Sequence, residues 1–128
     1  GSYNAYATPR RAFITAVAPN ATGLTVAAEM EIIETFGREY KIARRPLKEV
    51  ARTALAGGKL DCVFMVLGDD RRVRLSGVGA LKADGDFAID LAGKLPPGDY
   101  RVLVTLYLNG NTVNPNIRDV PFRVSGGS

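Results

Sequence analysis

The stretch LPPGDYRVLVTLYL, residues 95–108, is the part of this sequence that decides the fold class. From Tyr100 to Leu108 every second residue is apolar, which is the period of a β-strand with one buried face. Pro97 and Gly98 stand just before this run and indicate a turn, because proline fixes φ and glycine tolerates φ values that other residues avoid. A long, half-buried strand entered from a tight corner is typical of antiparallel β-proteins.

Similar period-two patterns occur along most of the chain. They predict further strands in residues 12–18, 24–33, 40–42, 61–67, 73–78, 87–91 and 120–124. Residues 61–67 are apolar at both alternating sets of positions, which predicts a central strand covered on each side. Turn signals such as Asp84-Gly85 separate the runs. Seven or eight short strands at this spacing predict an all-β, antiparallel sandwich.

One segment has a helical period instead. In residues 46–56 the apolar positions follow the i, i+3, i+4, i+7 spacing of an amphipathic helix. Pro46 suits the first helical position, and Gly57-Gly58 would supply a left-handed C-terminal cap. We therefore expect one short α-helix inserted between strands, packed over an edge or end of a sheet.

A local motif narrows the expected fold further. The pattern Leu95-x-Pro97-Gly98-x-Tyr100 is similar to the tyrosine corner of immunoglobulin-like and fibronectin type III-like domains. The resemblance implies a Greek-key sandwich whose last three strands correspond to strands E, F and G, with the Tyr100 hydroxyl bonded to backbone upstream. The chain departs from antibody domains because Cys62 is its single cysteine and it has no Trp.

The sequence indicates one domain, residues 10–124. Residues 1–9 are expected to be an N-terminal arm or linker, with Gly1-Ser2 typical of a cloning scar, and residues 125–128 a C-terminal linker. The 128 residues can bury a core without disulfides or metal. No stretch has the roughly 18–20 consecutive apolar residues that a membrane-spanning helix needs.

The residue types argue against catalysis. The chain has no His, which removes the usual general base near neutral pH, and Cys62 lies in an apolar run where a thiol behaves as a core residue. The tight acidic clusters are Asp69-Asp70 and Asp84-Gly85-Asp86, which could be imagined as calcium ligands or as glycosidase carboxylates. Turn formation already explains them, so we expect no enzyme, no cofactor and no bound metal.

Charge gives a weaker indication. The 17 Lys and Arg against 13 Asp and Glu give a net charge of +4, and arginine occurs in three doublets, Arg10-Arg11, Arg44-Arg45 and Arg71-Arg72. Acids or expected turns lie close to each doublet, so a solvated surface is the plainer interpretation. An anionic partner is an alternative, and nucleic-acid binding is not expected.

The most distinctive candidate site is the asparagine-rich loop that follows the 100–108 strand. Its candidate binding residues are Tyr107, Asn109, Asn111, Asn114 and Asn116. Loops at the ends of sandwiches collect binding residues, and amides suit sugar hydroxyls or a protein backbone. The alternative is an ordered structural loop in which the Asn side chains bond their own backbone.

Together these observations predict a non-catalytic module for protein interaction, assembly or spacing. We expect it to belong to a larger bacterial protein, exported to the periplasm, the cell surface or the medium, while a cytoplasmic location stays open. Its partner would be another protein or a neighbouring domain. The alternative function is a carbohydrate-binding module that uses the Asn109–Asn116 loop.

Overall fold

Nine β-strands build the computed structural model, which describes residues 6–50 and 59–126. No α-helix occurs within those two ranges. The strands, numbered in chain order, are β1 (Tyr6–Pro19), β2 (Gly23–Phe36), β3 (Glu39–Pro46), β4 (Leu60–Leu67), β5 (Val73–Val78), β6 (Ala80–Leu81), β7 (Phe87–Asp90), β8 (Gly98–Leu108) and β9 (Asn116–Val124).

The strands pair in two antiparallel sheets, as expected of a β-sandwich. In the first sheet the order is β1-β2-β7-β6, and in the second it is β5-β4-β8-β9. β1 covers one edge of β2, whereas β7 and β3 divide the other edge. β7 lies beside Gly23–Val26 and β3 lies beside Glu29–Phe36, so the long β2 connects the body of the sheet to a projecting hairpin.

The alternation predicted for β2 and β8 is what builds the core. Every second residue from Leu24 to Ile32 is buried, and so is every second residue from Val102 to Leu106. These rows lie in different sheets and belong to one apolar cluster. Each fully buried aliphatic side chain contributes about 1.5–3 kcal/mol, so the two rows account for much of the stability.

β4 is central in its sheet, as predicted, but the prediction that both its faces are covered is wrong. Cys62, Phe64 and Val66 point into the core, while Val63 is half-buried and Met65 is 41% exposed on the outer face. β4 is bordered on both edges by β5 and β8, and its apolar outer row lies on the surface of the second sheet.

The predicted helix is wrong over the part that the structure describes. Pro46 ends β3 opposite Glu29, Leu47–Glu49 form a single 3₁₀ turn, and Val50 is extended with φ −73° and ψ 117°. Pairing with β2 keeps the chain extended through Pro46, which a helix starting there would break. The 3₁₀ turn accounts for the helix-like spacing of apolar residues at its own positions, because it buries both Leu47 and Val50. Residues 51–56 and the Gly57-Gly58 cap lie outside the described ranges.

Several strand limits also differ from the prediction. β1 begins at Tyr6, and β9 begins at Asn116 rather than at position 120, which shortens the asparagine-rich loop. The strand that the sequence patterns did not predict, β6, has only two residues, too few for an alternating pattern to be visible. The Asp84-Gly85 turn forms as expected, with Gly85 at φ +91° and its N–H donating to the Lys82 carbonyl.

The corner before β8 has a specific hydrogen bond. The Tyr100 hydroxyl donates to the Pro96 carbonyl oxygen at 2.5 Å, four residues upstream. The Tyr100 ring stacks on Phe122 of β9, with 5.7 Å between ring centroids. Leu95 packs against the core from the same loop. The connection between the two sheets is therefore held by both a polar and an apolar contact.

The loops lie at two opposite ends of the molecule, which we call the upper and the lower end. The upper end carries the β2–β3 hairpin and the β8–β9 loop, beside the beginning of β1. The lower end carries the β1–β2 turn, the loop before β8 and the end of β9, which lie together. The β4–β5 turn is also at the lower end, because Leu67 pairs with Arg101 near the start of β8.

Candidate functional site

A groove of about 520 Å³ lies at the upper end, between the first half of β1 and the β8–β9 loop. We call it the edge groove, because it follows the free edge of β1. Apolar and polar residues both line it, among them Arg10, Arg11, Ala12, Leu106, Asn111 and Asn114. It therefore combines an apolar patch with amide and guanidinium groups, a composition suited to a ligand that is only partly apolar.

A bulge in β1 shapes this groove. Pro9 pairs with Ile32 and Arg11 pairs with Glu31, so Arg10 is an extra residue without its own partner in β2. In a regular strand two consecutive side chains point to opposite faces, whereas a bulge re-aims one of them. Arg10 and Arg11 consequently line the same groove and approach the same carboxylate, that of Glu31.

Below the groove, the edge of β1 is closed by side chains from β9. The Ile14 N–H donates to Asn116 Oδ1 at 2.7 Å. Arg118 donates through Nε to the Ile14 carbonyl at 3.4 Å and through Nη2 to the Thr15 carbonyl at 3.2 Å. We call Ile14 and Thr15 the sealed edge, because their outward backbone groups are bonded to side chains instead of to another strand.

Within the groove the same edge is open. Alternate residues of a strand direct their backbone groups to the same side, and pairing between Ala12 and Ile14 is regular. Because Ile14 directs its N–H and C=O away from β2, Ala12 does so as well, and Ala12 lines the edge groove. No described side chain bonds the Ala12 backbone groups. We call residues 10–12 the open edge.

The charges beside the open edge are unbalanced. Arg10 Nη1 lies 3.5 Å and Arg11 Nε 3.8 Å from the same oxygen, Glu31 Oε1. That oxygen is buried and accepts no hydrogen bond from the described residues. Two guanidinium groups therefore share one carboxylate, and the cluster has a local net charge of +1.

Phe13, an aromatic residue that lines the edge groove, is already covered by another side chain. The Arg44 guanidinium lies 4.0 Å from the Phe13 ring centroid in a cation–π contact. Arg44 Nε also donates to Glu29 Oε2 at 2.8 Å. Phe13 and Arg44 thus form a closed unit with Glu29 on the outer face of the first sheet.

Most of the Asn residues predicted as binding residues have a structural role, and one is available to contact a ligand. Three Asn side chains accept backbone N–H groups through Oδ1: Asn109 from Lys59 at 2.8 Å, Asn111 from Val113 at 3.0 Å, and Asn116 from Ile14 at 2.7 Å. Asn114 is exposed, lines the edge groove, and makes no hydrogen bond with the described residues. The loop is therefore held by its own amides, while Asn114 is free to contact a ligand.

The structure does not bring Tyr107 to these residues. Leu106 and Leu108 line the edge groove from β8, and Tyr107 lies between them in the strand. Because side chains alternate across a strand, Tyr107 points to the outer face of the second sheet, opposite Asp61 of β4. It is half-buried there and supplies no aromatic platform to the groove.

The acidic turns do not assemble into a metal site within the described ranges. Asp70 accepts the backbone N–H of Arg72 at 3.0 Å and a guanidinium N–H of Arg74 at 2.8 Å. Asp84 accepts the Asp86 N–H at 3.0 Å in the β6–β7 turn. Asp69 is exposed beside Asp70 in the β4–β5 turn.

Cys62 lies in the core, with no exposed surface. Burial raises the pKa of its thiol to about 11, opposed by a backbone hydrogen bond with Gly79. The thiol is therefore protonated at neutral pH and a poor nucleophile in the folded protein.

The three arginine doublets are not gathered in one patch. Arg10 and Arg11 lie at the upper end, whereas Arg71 and Arg72 lie in the β4–β5 turn at the lower end. In the middle doublet Arg45 donates to Glu34 Oε1 at 2.8 Å, and this hydrogen bond lowers the pKa of the Glu34 carboxyl.

Reasoning from sequence found the loop but missed the strand that faces it. Arg10, Arg11 and Ala12 complete the edge groove, although the sequence places them at the start of an ordinary strand. The arginine doublet was the available signal. Its proximity to the Asn residues depends on the approach of β1 to β8 and β9, about a hundred residues apart in the chain.

No helix in the described part of the chain has the length and apolar character to cross a membrane. Comparison with known proteins finds no match among protein-family models, curated sequences or solved structures.

Proposed function

We propose that this chain is a non-catalytic, immunoglobulin-like module that binds an extended segment of a partner protein in the edge groove. In this proposal it forms part of a larger, exported bacterial protein. The order of strands in the two sheets supports the immunoglobulin-like part. In immunoglobulin lettering, β1, β2, β7 and β6 would correspond to A, B, E and D, and β4, β8 and β9 to C, F and G, which are the orders of neighbours expected in the two sheets of such a domain.

Further support comes from the corner before β8. The hydrogen bond from Tyr100 to Pro96 joins a residue near the start of β8 to backbone upstream, as a tyrosine corner would, and so supports the proposal. β5 extends the second sheet beside β4, and the projecting β2–β3 hairpin is an addition to the seven-strand pattern.

The open edge is the observation that carries the proposed activity. An unpaired strand edge can accept a further strand, and the added main-chain hydrogen bonds supply affinity while neighbouring pockets supply specificity. Ala12 offers one N–H and one C=O, the half-buried Leu108 offers apolar surface, and Asn114 offers an amide. These groups match the needs of an extended polypeptide, which has a regular row of donors and acceptors and side chains on alternate sides.

Carbohydrate binding by the Asn109–Asn116 loop is the second candidate, favoured by Asn111 and Asn114 at the groove. Two observations weigh against it. Three of the four Asn oxygens bond backbone within the protein. The nearby Phe13 ring is covered by Arg44, and Tyr107 lies on another face. Neither ring therefore offers a free aromatic surface to a sugar.

A peptide selection tests the proposal. Random linear dodecapeptides displayed on phage are selected on the wild-type chain, and enriched peptides are measured by fluorescence polarisation. The blocking variant is Asn114→Trp, which places a large side chain in the groove from an exposed position. The matched control is Thr112→Trp in the same loop, because Thr112 is exposed and does not line the groove.

We expect saturable binding by wild type and the Thr112→Trp control, and at least a tenfold loss of affinity in Asn114→Trp. Binding that Asn114→Trp leaves intact, or a selection without enrichment, contradicts the proposal and favours a role in spacing. A glycan array run in parallel tests the second candidate. Saturable glycan binding lost in Asn114→Ala would favour the carbohydrate-binding module.

A further inference from the structure

The guanidinium groups of Arg10 and Arg11 lie at the edge groove without a hydrogen-bond acceptor among the described residues. Their side chains are 45% and 62% exposed, whereas the Glu31 side chain between them is 19% exposed. At 3.5 and 3.8 Å, both nitrogens are within ion-pair range of Glu31 Oε1 but make no hydrogen bond to it. Each guanidinium has five N–H donors, and no described residue accepts a hydrogen bond from either group.

Other arginines near the groove differ in this respect. Arg44 has a 2.8 Å hydrogen bond to Glu29 and stacks on Phe13, and Arg118 bonds the carbonyls of the sealed edge. Their donors have partners in directions set by the fold. Arg10 and Arg11 instead present donors beside the open edge, with one positive charge left over after Glu31 is counted.

From this arrangement we infer that the edge groove selects an extended segment with an Asp or Glu side chain, which Arg10 and Arg11 hold by charge-assisted hydrogen bonds. The inference rests on the proposed peptide-binding function and specifies its ligand. A second carboxylate would balance the cluster, giving two cations and two anions. Guanidinium groups bind carboxylates in a planar, two-bond geometry, which fixes the register of the segment as well as adding affinity.

The position of the acid along the segment follows from the strand. Arg10 and Arg11 directly precede Ala12, whose backbone groups would pair with the segment. The acidic residue therefore lies within about two residues of the one that pairs with Ala12, because neighbouring residues of a strand are about 3.3 Å apart. Neutral or basic segments would leave the excess charge unbalanced.

Two matched peptide libraries test this inference. Both are octapeptides anchored through the C-terminus and randomised over all residues except Asp and Glu, one with Asp fixed at the fourth position and the other with Asn there. Anchoring removes the free α-carboxylate, so only a side chain can supply the charge. The test variant is the double change Arg10→Gln and Arg11→Gln. The matched control is Arg71→Gln and Arg72→Gln, which removes the same charge at the lower end.

We expect wild type and the Arg71/Arg72 control to bind the best Asp peptides about tenfold or more tightly than their Asn counterparts, and the Arg10/Arg11 variant to lose this preference. The preference should also shrink as salt concentration rises. Equal binding of both libraries by wild type overturns the inference and leaves the groove as a peptide site. Binding of neither library overturns both this inference and the proposed function.

Discussion

The sealed edge and the open edge belong to the same strand, yet they solve the problem of an unpaired backbone in different ways. At Ile14 and Thr15, Asn116 and Arg118 bond the outward N–H and C=O groups. At Ala12, two residues away, the equivalent groups face a groove of about 520 Å³. An exposed strand edge invites pairing with other chains, so closing one part and leaving another open confines that pairing to one place.

The difference originates in β9. The strand begins at Asn116, which is level with Ile14, and above this point the chain turns away into the β8–β9 loop. β1 continues above it to Tyr6, so its upper half has no strand beside it on that edge among the described residues. Accessibility of the open edge thus follows from the unequal lengths of β1 and β9.

Removing the side-chain hydrogen bond that seals the edge at Ile14 should have the largest effect on stability. Asn116→Ala leaves the partly buried Ile14 N–H without its partner, and an unsatisfied buried donor costs about 1–3 kcal/mol. We expect a loss of that size in the free energy of unfolding, measured by urea denaturation with an unchanged m-value. Asn114→Ala is the control, and its loss should stay within about 0.5 kcal/mol because Asn114 is exposed. Equal losses in both variants would contradict the structural role of Asn116.

Amide hydrogen exchange distinguishes the sealed edge from the open edge without a mutation. The Ile14 N–H has a 2.7 Å hydrogen bond, whereas the Ala12 N–H faces the groove, so we expect Ile14 to exchange about tenfold or more slowly than Ala12. In Asn116→Ala the two rates should converge. Adding a peptide from the selection should slow exchange at Ala12 and leave Ile14 unchanged. Strong protection of Ala12 in the free protein would show that the open edge is already paired.

Sequence reasoning predicted much of the fold because period-two patterns report burial directly. The buried rows of β2 and β8 are those whose alternation is clearest in the sequence. It failed at Pro46, where a helical spacing of apolar residues lies next to a strand. Pairing of Pro46 with Glu29 joins residues 17 positions apart, and this contact outweighs the local preference.

Only one of the two parts of the candidate site could be predicted from the sequence. The asparagine-rich loop is visible as composition, and Asn111 and Asn114 do line the edge groove. The open edge is not visible, because it depends on which strand lies next to β1 and where that strand begins. Tyr107 shows the same limit: it is close to Asn109 in sequence, but its position in the alternation of β8 turns it to another face.

A smaller effect is expected from the ion pairs, which differ between the two ends of the molecule. At the lower end Arg123 Nε donates to Asp99 Oδ1 at 2.8 Å, and this hydrogen bond holds the pKa of the Asp99 carboxyl below its usual value. At the upper end Arg10 and Arg11 approach Glu31 without a hydrogen bond. We therefore expect Arg123→Ala to raise the Asp99 pKa, followed by NMR titration of the carboxyl group.

The sign of the effect on stability follows from the direction of that shift. Because the folded pKa of Asp99 is lower than its unfolded value, the pair stabilises the folded state above the unfolded pKa, and this contribution is lost as pH falls through the folded pKa. Wild type should therefore lose slightly more stability on acidification than Arg123→Ala. Both side chains are more than half exposed, so the difference should be small and should fade at high salt. An unchanged Asp99 pKa in Arg123→Ala would mean that the lower pair is as loosely coupled as the upper one, and that a direct hydrogen bond does not distinguish the two ends.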